Sequence, residues 1–119
     1  MLNLDTHILL YALCDDLTAR ERKLLKKNEW AVSGIVLWEL SKLAALGRIT
    51  LDLDSIELGR LFGQIDVIPL DFAVCRASTK LDFQSDPADE LIAATSIVHK
   101  IPLLTRDKRI KRSRLVPLA

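Results

Sequence analysis

A chain of 119 residues, half of them hydrophobic and with only four glycines and four prolines, is long enough for one ordered domain and too short for two. Its 17 basic and 16 acidic residues leave a net charge of +1, which excludes the strongly basic and strongly acidic classes and by itself names no partner. Cys14 and Cys75 lie far apart with no paired-ligand spacing, no cationic-then-apolar leader opens the chain, and no apolar run nears membrane-spanning length. Reduced thiols packed as small core residues, and a soluble cytoplasmic protein with no membrane partner, are therefore expected.

Taken in chain order, the pattern alternates strand-like and helix-like segments. Leu2–Leu4 reads as a first strand, with Asp5 or Thr6 capping a short helix through Tyr11 and Leu13. Thr18 followed by Glu21 has capping-box spacing and opens a helix to about Lys27. Trp30–Val32 reads as a second strand, and Ser33 caps a helix that runs to Leu46 and stops at Gly47. Asp54 with Glu57 repeats the capping-box spacing ahead of Leu58, Leu61 and Phe62. A third strand is expected over Ile65–Leu70, then Asp71 capping a helix over Phe72–Leu81. Pro87 sits at a favoured first helical position of a segment reaching His99, with Asp86 before it as the expected cap. Ile101–Thr105 closes the set as a fourth strand, and Leu115–Leu118 has the makings of a fifth. Repeated β-α order of this kind predicts an α/β three-layer sandwich: one mostly parallel sheet of four to five strands, flanked by helices.

In such a sheet every strand ends on the same edge, where sites form. Four acids stand at or beside those junctions: Asp5, Glu39, Asp89 and Asp107. Each has a plain structural alternative. Asp5 fits a helix cap, Asp89 a first-turn acid in favour with the helix dipole, and Asp107 a turn residue after a strand. Glu39 shares a helical face with Ile35, Trp38, Leu43 and Leu46, so it is expected in or beside an apolar stripe, either salt-bridged or metal-bound. Together, four carboxylates without Cys/His ligand spacing fit the oxygen preference of Mg²⁺ or Mn²⁺. Such an ion can polarise a water against a phosphodiester and neutralise the charge that develops.

Four motifs in this order also resemble a known family. They are Leu4-Asp-Thr-His7; Val32-Ser33 with Leu37-Trp-Glu-Leu40 and Leu46-Gly-Arg-Ile49; Asp86-Pro-Ala-Asp-Glu-Leu-Ile-Ala-Ala94; and Leu104-Thr-Arg-Asp107. The chain resembles the PIN-domain family over nearly its whole length, and within it the small single-domain VapC-type toxins. The resemblance implies an endoribonuclease dependent on Mg²⁺ or Mn²⁺, leaving 5′-phosphate and 3′-hydroxyl ends, commonly dimeric and held inactive by a small cognate antitoxin protein. It implies Asp5, Glu39, Asp89 and Asp107 as the catalytic, metal-holding acids, Asp86 as an accessory acid, and Thr6, Ser33 and Thr105 as hydroxyls beside them. Two positions depart from the family pattern: Glu90 stands where a basic residue is expected, and Gln84 where a basic residue or histidine is common.

The run from Arg106 to Arg114 contains six basic residues against one Asp107. Arg106, Lys108, Arg109, Lys111 and Arg112 are accordingly candidates to hold RNA phosphates, with a solvated face as the plain alternative. His7 reads as a capping or packing histidine and Trp30 and Trp38 as core residues. His7 at the second position after Asp5 argues against an aspartyl-phosphate phosphatase, which needs an aspartate there, and Thr6 against a phosphoacceptor receiver, which needs adjacent acids. The remaining alternative is a PIN-like module that binds RNA or protein without catalysis; such modules lose acids, and this chain keeps all four.

Overall fold

The computed structural model covers residues 1–119 and arranges them as a four-stranded, wholly parallel sheet flanked by seven helices. The elements are β1 (Leu2–Leu4), α1 (Thr6–Leu13), α2 (Ala19–Lys27), β2 (Trp30–Ser33), α3 (Gly34–Ala45), α4 (Ile56–Gln64), β3 (Asp66–Ile68), α5 (Phe72–Ser78), α6 (Pro87–His99), β4 (Leu103–Leu104) and α7 (Lys108–Lys111). The strand order is β3-β2-β1-β4. Leu2 pairs with Trp30, Ala31 with Asp66 and Leu4 with Leu104. The chain steps outward from β1 to β2 to β3, then returns across the sheet to place β4 on the other side of β1. That reversal makes the β1/β4 boundary a topological switch point, the place where an open α/β sheet leaves a crevice beyond its strand ends.

Local chemistry explains most of these boundaries. The Thr18–Glu21 capping box forms as its spacing predicts, and Ser33 and Asp71 cap α3 and α5. Ser55, rather than Asp54, caps α4, because the Asp52 carboxylate binds the Asp54 amide in a turn and delays the helix by one residue. β3 ends at Ile68 because Pro69 brings no amide to the ladder, and β4 is cut to two residues between Pro102 and Thr105. The expected fifth strand is a single parallel bridge, Leu103 to Leu118. α7 is an addition that periodicity did not reveal; Asp107 caps it.

One core runs through the sheet, built from Leu4, Ile8, Leu9, Val32, Val36, Leu40, Ile92, Leu104 and Ile110 among others. Asn3, on the opposite side of β1 from Leu2 and Leu4, donates to the Ile92 carbonyl and the Ser96 hydroxyl and so binds α6 to the sheet. Three expected core residues lie outside. Trp38 is 56% exposed, because the buried stripe of α3 is Val36 and Leu40, half a helical turn away. Cys14 ends α1 in solvent, and Cys75 turns outward beside buried Val74. Trp30 does pack, its ring nitrogen donating to the Leu25 carbonyl. No helix is long and apolar enough to cross a membrane.

Candidate active site

Asp5 leaves the end of β1 at the switch point, where its amide reaches the Leu104 carbonyl of β4. The residue is 6% exposed. Oδ1 accepts from the Ile8 amide at 2.8 Å, capping α1, and Oδ2 accepts from the Thr105 hydroxyl. Thr105 Oγ1 in turn accepts from the Asp107 amide at 3.0 Å. The end of β4 is thereby folded onto the end of β1.

Each of the other acids is steadied in a similar way. Thr6 donates its hydroxyl to Glu39 Oε1, joining the start of α1 to half-buried α3. Ser85 donates to Asp89 Oδ2 at 3.2 Å, while its amide meets Glu90 Oε2 at 3.4 Å. Asp107 Oδ1 accepts from the Arg109 and Ile110 amides at 2.8 and 3.2 Å. Glu39 Oε2, Asp89 Oδ1 and Asp107 Oδ2 make no hydrogen bond. Asp86 occupies the cap position of α6 but makes no capping bond with its side chain, since Ser85 and Glu90 organise that helix start. Ser33 is buried and its hydroxyl accepts from the Ile35 amide at 3.3 Å, with no hydrogen bond to any of the acids.

The electrostatics tie these acids together. Burial pushes the Asp5 carboxyl above its usual range; the Thr105 hydroxyl, the Ile8 amide and His7 oppose that rise, and Asp107 adds to it. Burial likewise raises Asp89, reinforced by Glu39 and then by Asp107 and Asp86, with the Ser85 hydroxyl pulling the other way. Asp107 thus acts on both Asp5 and Asp89, and Glu39 acts on Asp89. Like charge gathers here, although no three of these side chains close into a finished metal cage. A hollow of about 450 Å³ lined by Glu29, Trp30, Leu61, Gln64, Ile65 and Asp66 lies at the opposite ends of β2 and β3 and holds no buried acid of this kind. The carboxylates, not the size of the hollow, locate the site.

The basic candidates divide. Lys108, Lys111 and Arg112 are exposed and free of ion pairs, and Arg109 reaches from α7 to the Gln84 carbonyl at 3.3 Å, spanning the rim between Asp107 and Ser85. Arg106 points elsewhere: it pairs with Glu21 at 2.7 Å and lies over the Tyr11 ring at 3.8 Å. His7 is exposed, its ring 6.5 Å from that of Tyr11. Sequence reasoning missed Ser85 as the partner of Asp89 and treated Glu21 only as a capping residue. A serine directly before Asp86-Pro87 was the available signal for the first; nothing local signals the second.

Comparison with known proteins gives concordant results. A family model described as the PIN domain matches residues 3–114. The Ribonuclease VapC22 of Mycobacterium tuberculosis is 34% identical over 90 residues, spanning 73% of this chain and 69% of that protein. Among solved structures, VapBC2 from Rickettsia felis bound to a promoter DNA fragment has a TM-score of 0.74 at 23% identity, covering 100% of this chain and 98% of that one. DNA-bound VapBC from Salmonella typhimurium reaches 0.72 at 17% identity, with 99% and 96% covered. A toxin-antitoxin complex from Klebsiella pneumoniae reaches 0.70 at 17% identity, with 94% and 91% covered.

Proposed function

The chain belongs to the PIN-domain family, and from that premise we propose that it is an endoribonuclease dependent on Mg²⁺ or Mn²⁺, the toxin of a toxin-antitoxin pair. One observation carries the reading: a buried Asp5 carboxylate at the switch point, crowded by Asp107, with no cationic side chain bonded to it. An ionised carboxylate so placed is costly unless it is paired or metal-bound. The donor set suits a hard cation, being all oxygen, and Glu39 Oε2, Asp89 Oδ1 and Asp107 Oδ2 are free to join Asp5 in holding one. When bound, a divalent cation supplies a polarised water and neutralises charge that gathers on the phosphate.

The protein's own groups do the positioning. Thr105 and the Ile8 amide fix Asp5, Thr6 fixes Glu39, Ser85 fixes Asp89, and two α7 amides fix Asp107. Outer partners of this kind orient metal ligands, and losing one typically costs about 10–100-fold in affinity or activity. Asp86 adds negative charge at the rim. Lys108, Arg109, Lys111 and Arg112 stand beside Asp107, where RNA phosphates can be gripped. The similarity to toxin-antitoxin complexes supports a small protein inhibitor, and a carboxylate cluster suits an arginine from that inhibitor, whose fork pairs two oxygens at once. A second copy of the chain is the other expected partner.

The test uses purified protein and a mixed RNA pool. We expect cleavage with Mn²⁺, none after EDTA treatment, and none from Asp5→Asn. Cleavage that survives EDTA, or survives the substitution once contaminating nuclease is removed, overturns the proposal. Co-expression with an adjacent small gene product, followed by co-purification, tests the inhibitor; binding unchanged in an Asp5→Ala, Glu39→Ala double variant would remove the pocket from that contact.

A further inference from the structure

Between Thr105, which holds Asp5, and Asp107, which joins the acids, stands a residue that faces the other way. Arg106 donates Nε to Glu21 Oε2 at 2.8 Å, and Nη2 to Glu21 Oε1 at 2.7 Å and to the Asp16 carbonyl at 3.0 Å. Its guanidinium carbon lies 3.8 Å from the centre of the Tyr11 ring. Three of its five N–H donors and one face are thus occupied, leaving only Nη1. A guanidinium so committed presents no fork to a phosphate. Glu21 is equally engaged: 8% of its side chain is exposed, and Oε1 also accepts from the Thr18 amide at 2.9 Å to complete the capping box of α2. The pair links residues 85 apart in sequence, so it bolts the loop after β4 to the start of a nine-residue helix. In extended chain alternate side chains point to opposite sides, so anchoring the middle residue outward turns its two neighbours inward.

We propose that Glu21 is a positioning residue for the acidic site: through Arg106 it holds the Thr105–Asp107 segment so that the Thr105 hydroxyl meets Asp5 and the Asp107 carboxylate faces the other acids. Arg106 serves this anchor and not RNA. The inference rests on the ribonuclease reading above for its kinetic consequence, and on the fold alone for its structural one. Neither residue touches RNA or metal. Both act through the placement of Asp107 and Thr105.

A double-mutant cycle separates this role from phosphate binding. Glu21→Gln and Arg106→Gln, assayed with Mn²⁺ well below their melting temperatures, should each lower kcat by about 10-fold or more, the scale of losing an outer partner of a metal site. The double variant should be no worse than the poorer single one. KM and the salt dependence of RNA binding should stay unchanged, and Arg106→Lys should also lose kcat, because an ammonium cannot bridge both Glu21 oxygens and Asp16. Hydrogen exchange on the metal-free protein supplies a readout independent of activity: the Asp107, Arg109 and Ile110 amides should exchange faster in the variants, while those of β2 and α3 do not. Should Glu21→Gln prove too unstable because it also serves α2, Arg106→Gln leaves that capping box intact and asks the same question. A rise in KM and a salt slope lowered by about 1 in Arg106→Gln, with Glu21→Gln unaffected, would make Arg106 a phosphate contact and overturn the proposal. Should wild type cleave no RNA, the ribonuclease reading fails by itself, and hydrogen exchange alone decides the anchor; unchanged exchange at those amides refutes it.

Discussion

Asp5 and Glu21 each expose 6% of their surface, yet the fold treats their charges in opposite ways. Glu21 receives a bidentate guanidinium from Arg106, which together with the Thr18 amide holds its carboxyl down at about 2 against burial that would raise it. Asp5 receives a hydroxyl and an amide, and burial wins, pushing it up. One carboxylate is enclosed by the side chain that neutralises it; the other is enclosed by sheet and helix with its charge unmatched. Buried charge is retained where something compensates it, so the asymmetry marks what each place is for. The Glu21 corner is a finished joint. The Asp5 corner is left open, and under the proposed function a cation from outside completes it.

The largest effect should come from the unmatched side. Asp89→Asn and Asp107→Asn keep the shapes of the side chains and remove charge from the cluster, and we expect cleavage to fall more than about 100-fold in Mn²⁺ while the circular dichroism spectrum is unchanged. Activity within a few-fold of wild type would dissolve the distinction between the two corners. Next in size is a contrast in acid stability. The folded pKa of Glu21 lies below its ordinary value of 4.5, so the joint contributes stability above that pH and loses it as pH falls toward about 2. Glu21→Gln should lose on the order of 1.5–3 kcal/mol near neutral pH, as expected for hydrogen bonds to a charged group. Its urea midpoint should also lack the wild-type rise between pH 2 and 4.5. An unchanged pH profile would mean the pair is only a surface contact. The smallest effect belongs to the free cations: Lys108→Gln should lower the slope of RNA affinity against salt by about 1 and leave Tm within a degree or two.

Much of this was legible in the chain. The strand–helix alternation, the capping box at Thr18 and the placing of four acids at or beside strand–helix junctions follow from local rules, and Asp5 caps α1 while lying buried under the influence of Asp107. What the pattern concealed depends on contacts far apart in sequence. Glu21 and Arg106 each obey a local rule, capping in one case and a basic run in the other, and only the fold shows that they meet. Trp38 looked like core because Ile35, Leu43 and Leu46 share its face, but α3 buries Val36 and Leu40 instead. The short β3 and β4 reflect prolines whose missing amides end a ladder, a rule that could have been applied to Pro69 and Pro102 from the start. α7 escaped because four residues are too few to show a helical period.

The most direct test is thermal melting of wild type and Asp5→Asn, each in EDTA and in excess Mn²⁺. Because the Asp5 carboxyl is raised above its ordinary 3.8, the folded state holds its proton more tightly than the unfolded chain, so its ionisation destabilises the metal-free protein as pH rises through the raised value, with the full penalty above it. Asparagine caps helices about as well as aspartate, so Asp5→Asn removes the penalty and keeps the cap. At neutral pH in EDTA it should melt higher than wild type, by about 4 °C for each kcal/mol relieved. Mn²⁺ at a hundredfold excess over its dissociation constant should then stabilise wild type by about 2.7 kcal/mol, and the variant much less, so that the order reverses. A variant that melts lower in EDTA, with Mn²⁺ shifting both proteins equally, would contradict the account: Asp5 would be a helix cap and nothing more.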